Sequence, residues 1–453
     1  MRRLALLLLI ACKSHEAAPK QVSAADPCAK AKPEGQMQWI ADDYPAALAC
    51  AKQKKVPLVI DLWAPWCHTC LSMQSTVFTD PSFASERDKF VWLAMDTDKE
   101  QNAPALTKLS ISAWPTFYVI GSDEAVLARF VGAASVQQFH DFLAAGTKAQ
   151  AGGVAAADAR LLGADRALAI KDYDAADTEL QAALAAAPKG WPRRPDVLTS
   201  LILTKLKKHD TAACLAVADE HMDETGNAAA ASDFLVTAMT CADQRAKDEP
   251  DRVKALRERA VARWQALLAD KSAPLSVDDR SDAMASLRET LDALGKTDLA
   301  KQTAEAQRAL LDDAAAKAPT PLAAMTYNWP RAEVYVYLQR PLDLVPALEK
   351  SAKDLPDEYD PRARLGWIYL KAGKLPEAAK WTDEALAMVY GPRKGRILTQ
   401  RADIAAAARD KATERRLRED AVKLYEGLPA SQQSPDALAT AKQALANVGS
   451  AAP

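Results

Sequence analysis

The chain has 453 residues, 49% of them hydrophobic, which is too long for one compact domain and apolar enough for two or three cores. Lysine and arginine number 58 against 60 aspartates and glutamates, a net charge of -2. So even a balance excludes the basic surface that nucleic acid or an acidic membrane requires, and neither is expected as a partner.

At the N-terminus, MRRLALLLLIAC sets two arginines before a short apolar run, Leu4 to Ile10, then Ala11 and Cys12. This is the pattern of a bacterial export signal, and the run is too short to span a bilayer. Leu9-Ile10-Ala11-Cys12 resembles the lipobox of bacterial lipoproteins, which implies a signal peptide over residues 1–11 and lipid attachment at Cys12. An ordinary cleaved signal, or a misplaced start, is the alternative. The polar stretch that follows reads as a tether over 12–37. The resemblance implies a location in the bacterial periplasm, with membrane contact only through the lipid anchor. In an exported chain disulfides persist, and six cysteines remain besides Cys12, an even count that suits pairing.

Residues 38–145 alternate helical and strand patterns. An amphipathic segment, DDYPAALACAKQKK, precedes VPLVIDLWA, a β-branched apolar run at 56–64 that reads as a buried strand. A helix is expected at the cysteines, a second short helix over TDPSFASERDKF, a strand at FVWLAMDTD and helical spacing in QNAPALTKLS. Pro115 opens TFYVI, which turns through Gly121 to Glu124 into AVLARFVG as a hairpin, and SVQQFHDFLAA closes with a helix. The glycines and small residues of 146–157 read as a linker.

Beyond it, residues 158–430 are rich in alanine and leucine and helical in period, with a C-terminal helix and tail over 431–453. KDYDAADTELQAALAAAP at 171–188 has Ala176, Ala183 and Pro188 at spacings of seven and five, and Ala378 and Ala385 repeat the first spacing. Leu365, Gly366 and Tyr369 precede the later copy. The pattern resembles the tetratricopeptide repeat, with small residues where paired helices cross and large ones in the seam. Weaker copies begin near 207, 295, 339 and 408. Residues 220–290 read as helix pairs without repeat identity.

The chemistry concentrates at WAPWCHTC, residues 63–70. A zinc site needs four ligands; this CxxC supplies two, and no second CxxC or histidine pair lies nearby, which disfavours metal. His15, His140, His209 and His221 are scattered and receive no role. A purely structural bridge gains little from closing so short a loop. Redox chemistry remains, and no organic cofactor is called for. Cys67 follows a buried strand where a helix should begin, so unpaired N–H groups and the helix dipole favour its thiolate. Cys67 is then the nucleophile and Cys70, one turn on, resolves the mixed disulfide. A protonated His68 would stabilise the thiolate further and push the couple toward the oxidising side, whereas a solvent-facing His68 would do little.

DLWAPWCHTC resembles the active-site segment of the thioredoxin superfamily, and AWPTFYVI at 113–120 resembles its cis-proline loop. Within that superfamily, VFTDPSFA and LAMDTD most resemble the C-terminal periplasmic domain of DsbD. The resemblance implies an α/β thioredoxin fold, a central mixed sheet flanked by helices, followed here by an all-α tetratricopeptide-like solenoid. It implies Cys67 as attacking and Cys70 as resolving cysteine, Pro115 as the cis-proline that positions the substrate strand, and Trp66 as a shield for the disulfide. Asp61 is implied as a buried carboxylate, raised in pKa by desolvation, that relays the proton of Cys70; a strand-end residue bonded to backbone is the plainer reading. Trp114, before the cis-proline, implies a substrate contact of unusual bulk, and Trp63 reads as core packing. The His-Thr dipeptide is neither the Gly-Pro of reducing thioredoxins nor the Pro-His of strong oxidants, so the direction of electron flow stays open.

Cys28 with Cys50, and Cys214 with Cys241, are candidate structural disulfides, against a redox relay in the first case and free buried thiols in the second. The expectation is an exported thiol-disulfide oxidoreductase of protein substrates, with a membrane reductase as a candidate electron donor and a protein partner held on the concave face of the repeats. The rival is a non-catalytic adaptor in which the helical domain binds the partner. An intact CxxC, Asp61 and Pro115 count against it.

Overall fold

The structure, a computed structural model, describes residues 26–448. The expected signal peptide, His15 and the lipid-attachment residue Cys12 lie outside the described residues.

The sheet has six strands: β1 (Lys32–Glu34), β2 (Met37–Ala41), β3 (Leu58–Trp63), β4 (Val91–Asp96), β5 (Thr116–Ile120) and β6 (Val126–Val131). Their order is β1-β2-β4-β3-β5-β6, with β2/β4 and β3/β4 parallel and the other pairs antiparallel. Four helices complete the domain: α1 (Tyr44–Lys54), α2 (His68–Ser72), α3 (Ala103–Leu106) and α4 (Val136–Gln150). Buried strand β3 sorts its side chains by alternation. Leu58, Ile60 and Leu62 join Ala47 and Ala51 of α1 on one face, while Val59 joins Phe117, Phe139 and Phe142 beneath α4 on the other. Asp61 shares a parity with Val59, so β3 delivers a carboxylate into an apolar layer.

Two boundaries differ from the sequence reading. Residues 27–37 are not tether: Pro27–Lys30 form a 3-10 helix, β1 pairs with β2 across a turn at Gly35, and Cys28 is bonded to Cys50 of α1. A three-residue strand is too short to show alternation, so no signal announced it. Nor is 146–157 all linker. Helix α4 runs to Gln150, and Gly146 sits inside it because a Cβ there would lie 2.7 Å from Val119. That glycine permits close helix-sheet packing and was misread as a break.

The rest of the described chain is helical. The first half contains α5 (Ala156–Ala169), α6 (Tyr173–Ala186), α7 (Arg194–Lys207), α8 (Thr211–His221), α9 (Ala229–Arg245), α10 (Pro250–Ala269), α11 (Val277–Ala293) and α12 (Thr297–Lys317). There follow α13 (Pro321–Met325), α14 (Asn328–Tyr337), α15 (Val345–Asp354), α16 (Asp360–Lys371), α17 (Leu375–Leu386), α18 (Gly391–Ala407), α19 (Lys411–Gly427) and α20 (Pro435–Ala446). A repeat is visible in the backbone. Lys171, His209, Gly295, Gln339, Gly373 and Arg409 all adopt positive φ, each two residues before the second element of a pair. These turns fall where the sequence copies begin, and none occurs between α9 and α10, where no repeat identity was claimed. Gly366 on α16 faces Thr382 and Gln400, so α16, α17 and α18 cross where only a glycine fits. Cys214 and Cys241 are bonded and join α8 to α9.

This array wraps the thioredoxin-like domain. Asp165 of α5 accepts from the Arg129 backbone of β6. Ser276, the N-cap of α11, meets Ser72. Tyr390, before α18, donates to Asp96, and the Gln432 amide donates to the carbonyls of Thr97 and Lys99. The array thus meets the domain at α5, at the start of α11, just before α18 and at Gln432.

Candidate dithiol site

Cys67 is the N-cap of α2, and its sulfur accepts the Cys70 N–H at 3.1 Å. The strand-to-helix transition thus aims a backbone donor at sulfur, as the sequence required. The two cysteines are bonded in the structure and are 5% and 1% exposed. Helix α2 continues as a π-helical turn through Val77.

The second signature arrives by strand pairing. Leu62 pairs with Thr116, which sets Pro115 beside the end of β3, and the Trp114–Pro115 bond is cis. Trp63, Trp66 and Trp114 pack around Ala64, Cys67 and Cys70. Trp66 and Trp114 meet edge to face at 5.0 Å. Their indole N–H groups donate to Asp98 at 2.7 Å and Thr97 at 2.9 Å, so both rings are fixed. Trp63 touches the dithiol cluster and lines a cavity of about 460 Å³ with Trp39, Leu322 and Met325, more than the core role expected of it.

Asp61 is 2% exposed and its Oδ1 has no hydrogen-bond partner, against the plainer reading of a backbone-bonded residue. Burial, then the nearby Glu34 charge, pushes its pKa up to about 8. A carboxyl that holds its proton near neutrality can give and take one there.

His68 does not face solvent. Its side chain is 22% exposed, and Nδ1 lies 3.0 Å from both oxygens of Asp278, itself 1% exposed, on α11. Nε2 is 4.0 Å from Asp282, one turn further along α11. Burial alone would lower the ring's pKa, but Asp278 and Asp282 outweigh it and bring it to about 10. Donor atoms of these three residues lie within 4.8 Å of one another. With Nδ1 facing both Asp278 oxygens and Nε2 turned to Asp282, the arrangement is that of an imidazolium between carboxylates rather than of ligands converging on a cation.

Sequence reasoning missed what the helical array brings. Arg393 of α18 lies 5.0 Å over the Trp66 ring, and Asp278 sits 210 residues from His68. The only local sign at Asp278 is the capping box of Ser276 and Asp279, which marks a helix start and says nothing of a partner. Cys28, Cys50, Cys214 and Cys241 lie apart from the dithiol, in two bridges of their own.

Fold and site together define a thioredoxin-like domain with a dithiol, enclosed by a tetratricopeptide-like helical array. Residues 38–120 match the thioredoxin-like family model. Thiol:disulfide interchange protein DsbD of Vibrio vulnificus, in strains CMCP6 and YJ016, is 39% identical over 54 residues, 12% of this chain. The match spans only 9% of each relative's length. A tetratricopeptide repeat protein from Parabacteroides merdae aligns with 64% of this chain and 98% of its own, at 13% identity and a TM-score of 0.42. The repeat character of the helical half rests on its own turns and crossings.

Proposed function

We propose that this protein is an exported thiol-disulfide oxidoreductase that acts on protein substrates by exchange at Cys67 and Cys70. The observation that carries the reading is the Cys67 sulfur at a helix N-cap, accepting the Cys70 N–H, beside the loop of the cis Trp114–Pro115 bond. In the reducing direction the Cys67 thiolate attacks a substrate disulfide, forms a mixed disulfide and expels one substrate thiolate. Cys70, its proton taken up by the base at Asp61, then attacks the Cys67 sulfur, releases the second thiolate and leaves Cys67–Cys70 oxidised, two electrons having passed to substrate. Oxidation of a substrate dithiol is the reverse.

Two further disulfides fit an oxidising compartment, and among the described residues no helix is long and apolar enough to cross a membrane. The disulfides support a periplasmic location, and with it we propose an anchor at Cys12 and a membrane reductase as electron donor. A client would approach beside the cis Trp114–Pro115 bond, since Trp66 is already packed against Arg393 and the array.

Insulin reduction by the full chain tests the reading. Wild type should be active and Cys67→Ser inactive, while Cys70→Ser should accumulate a mixed disulfide. Inactivity of both wild type and Cys67→Ser would leave the adaptor reading in its place.

A further inference from the structure

We infer that Asp278 of the helical array is a positioning residue of the dithiol site: it holds the ring of His68, the residue after Cys67, and so sets the reduction potential of the Cys67/Cys70 couple. The inference rests on the redox reading above and goes beyond it, because it makes the appended array part of the site.

The geometry is specific. Both Asp278 oxygens lie 3.0 Å from Nδ1, and Asp282, four residues on, lies across Nε2. The ring is therefore bracketed by one helix of the array while its own backbone forms the first turn of α2, next to the Cys67 N-cap. Asp278 is nearly inaccessible and stands in the first turn of the 17-residue α11. A charged Asp278 favours a charged imidazole. The other ionisable groups that bear on the ring are Asp282 of α11, which burial raises well above its ordinary range, Asp279 of the same turn, which burial raises to about 6, and the largely buried Glu333 of α14, whose charge is offset by Arg288 and Arg364.

An imidazolium in the residue after Cys67 stabilises the thiolate, and with it the reduced state. Asp278 therefore makes the couple more oxidising than the same dithiol with a neutral ring. Electrons still move only between the dithiol and its substrate, and Asp278 exchanges none. A free thioredoxin-like domain lacks this control.

The test is the equilibrium of the full-length protein with glutathione buffers, read by thiol trapping, together with thiolate absorbance against pH. Asp278→Asn should shift the equilibrium constant about tenfold toward the reducing side, about 30 mV for a two-electron couple, and raise the Cys67 thiol pKa. His68→Gln should do the same, and Asp278→Asn should add nothing in that background. Asp278→Glu should return the potential toward wild type, and Ser72→Ala, which removes the contact to Ser276 and leaves the α11 cap and the ring in place, should leave it unchanged. Wild-type potential in Asp278→Asn, an additive shift in the double variant, or an equal shift in Ser72→Ala would overturn the inference while the redox reading stands. If Asp278→Asn does not fold, His68→Gln decides, and a wild-type potential there refutes it. A wild type that exchanges with neither glutathione nor insulin would instead bring down the redox reading itself.

Discussion

Asp61→Asn should make the protein more stable at neutral pH while slowing its chemistry. In the unfolded chain Asp61 ionises at its ordinary value of 3.8; in the fold it keeps its proton to about pH 8. Across that window the native state binds the extra proton, so stability falls as pH rises, by about 1.4 kcal/mol per pH unit. The cost accumulated by pH 7 is about 4 kcal/mol for this fully buried group. Asparagine has nearly the same shape and no charge to ionise, and the Oδ1 it replaces has no partner to lose. Urea denaturation of the oxidised full-length proteins at several pH values measures the difference. The variant should exceed wild type by about 4 kcal/mol near pH 7, and the gap should close toward pH 4. Equal midpoints at pH 7, or a gap that does not vary with pH, would refute the argument that β3 buries a protonated carboxyl. The same variant should resolve mixed disulfides more slowly as the pH approaches 8, where Asp61 ionises and can take the Cys70 proton.

Gly391→Ala should loosen the join between the helical array and the dithiol domain. Gly391 has φ of +57°, and a Cβ there would collide with the Asp98 carbonyl, so a loss of about 1–3 kcal/mol and faster proteolysis between the two parts are expected. Gly366→Ala should cost at least as much by forcing Thr382 and Gln400 from the helix crossing, which a lowered thermal midpoint would record. Replacing Cys214 and Cys241 together by alanine opens a bridge spanning 27 residues and should cost about 3.5 kcal/mol, with the insulin rate unchanged because the bridge lies apart from the dithiol. Unchanged stability would show that α8 and α9 are held by packing alone.

What the sequence determined by itself is local. Apolar runs, breakers and the position of Cys67 after a buried strand placed the dithiol at a helix start, and AWPTF marked the loop that closes on it. These signals act over a few residues, where backbone geometry and side-chain period leave few choices. The short β1 strand and the glycine inside α4 escaped because three residues show no period and a packing glycine looks like a breaking one. Even the repeats were legible, since each needs its own turn and its own small residues.

Tertiary structure decided what surrounds the dithiol. Whether His68 is a charged ring or a solvent-facing one stays open in the sequence until α11 brings Asp278 to it across 210 residues, and Trp66 gains Arg393 from α18. No periodicity encodes such a meeting, because it depends on the accumulated path of some ten helices and on which face they turn inward. The CxxC comes from the chain's local order; the charge around its histidine comes from the way the array folds back over it.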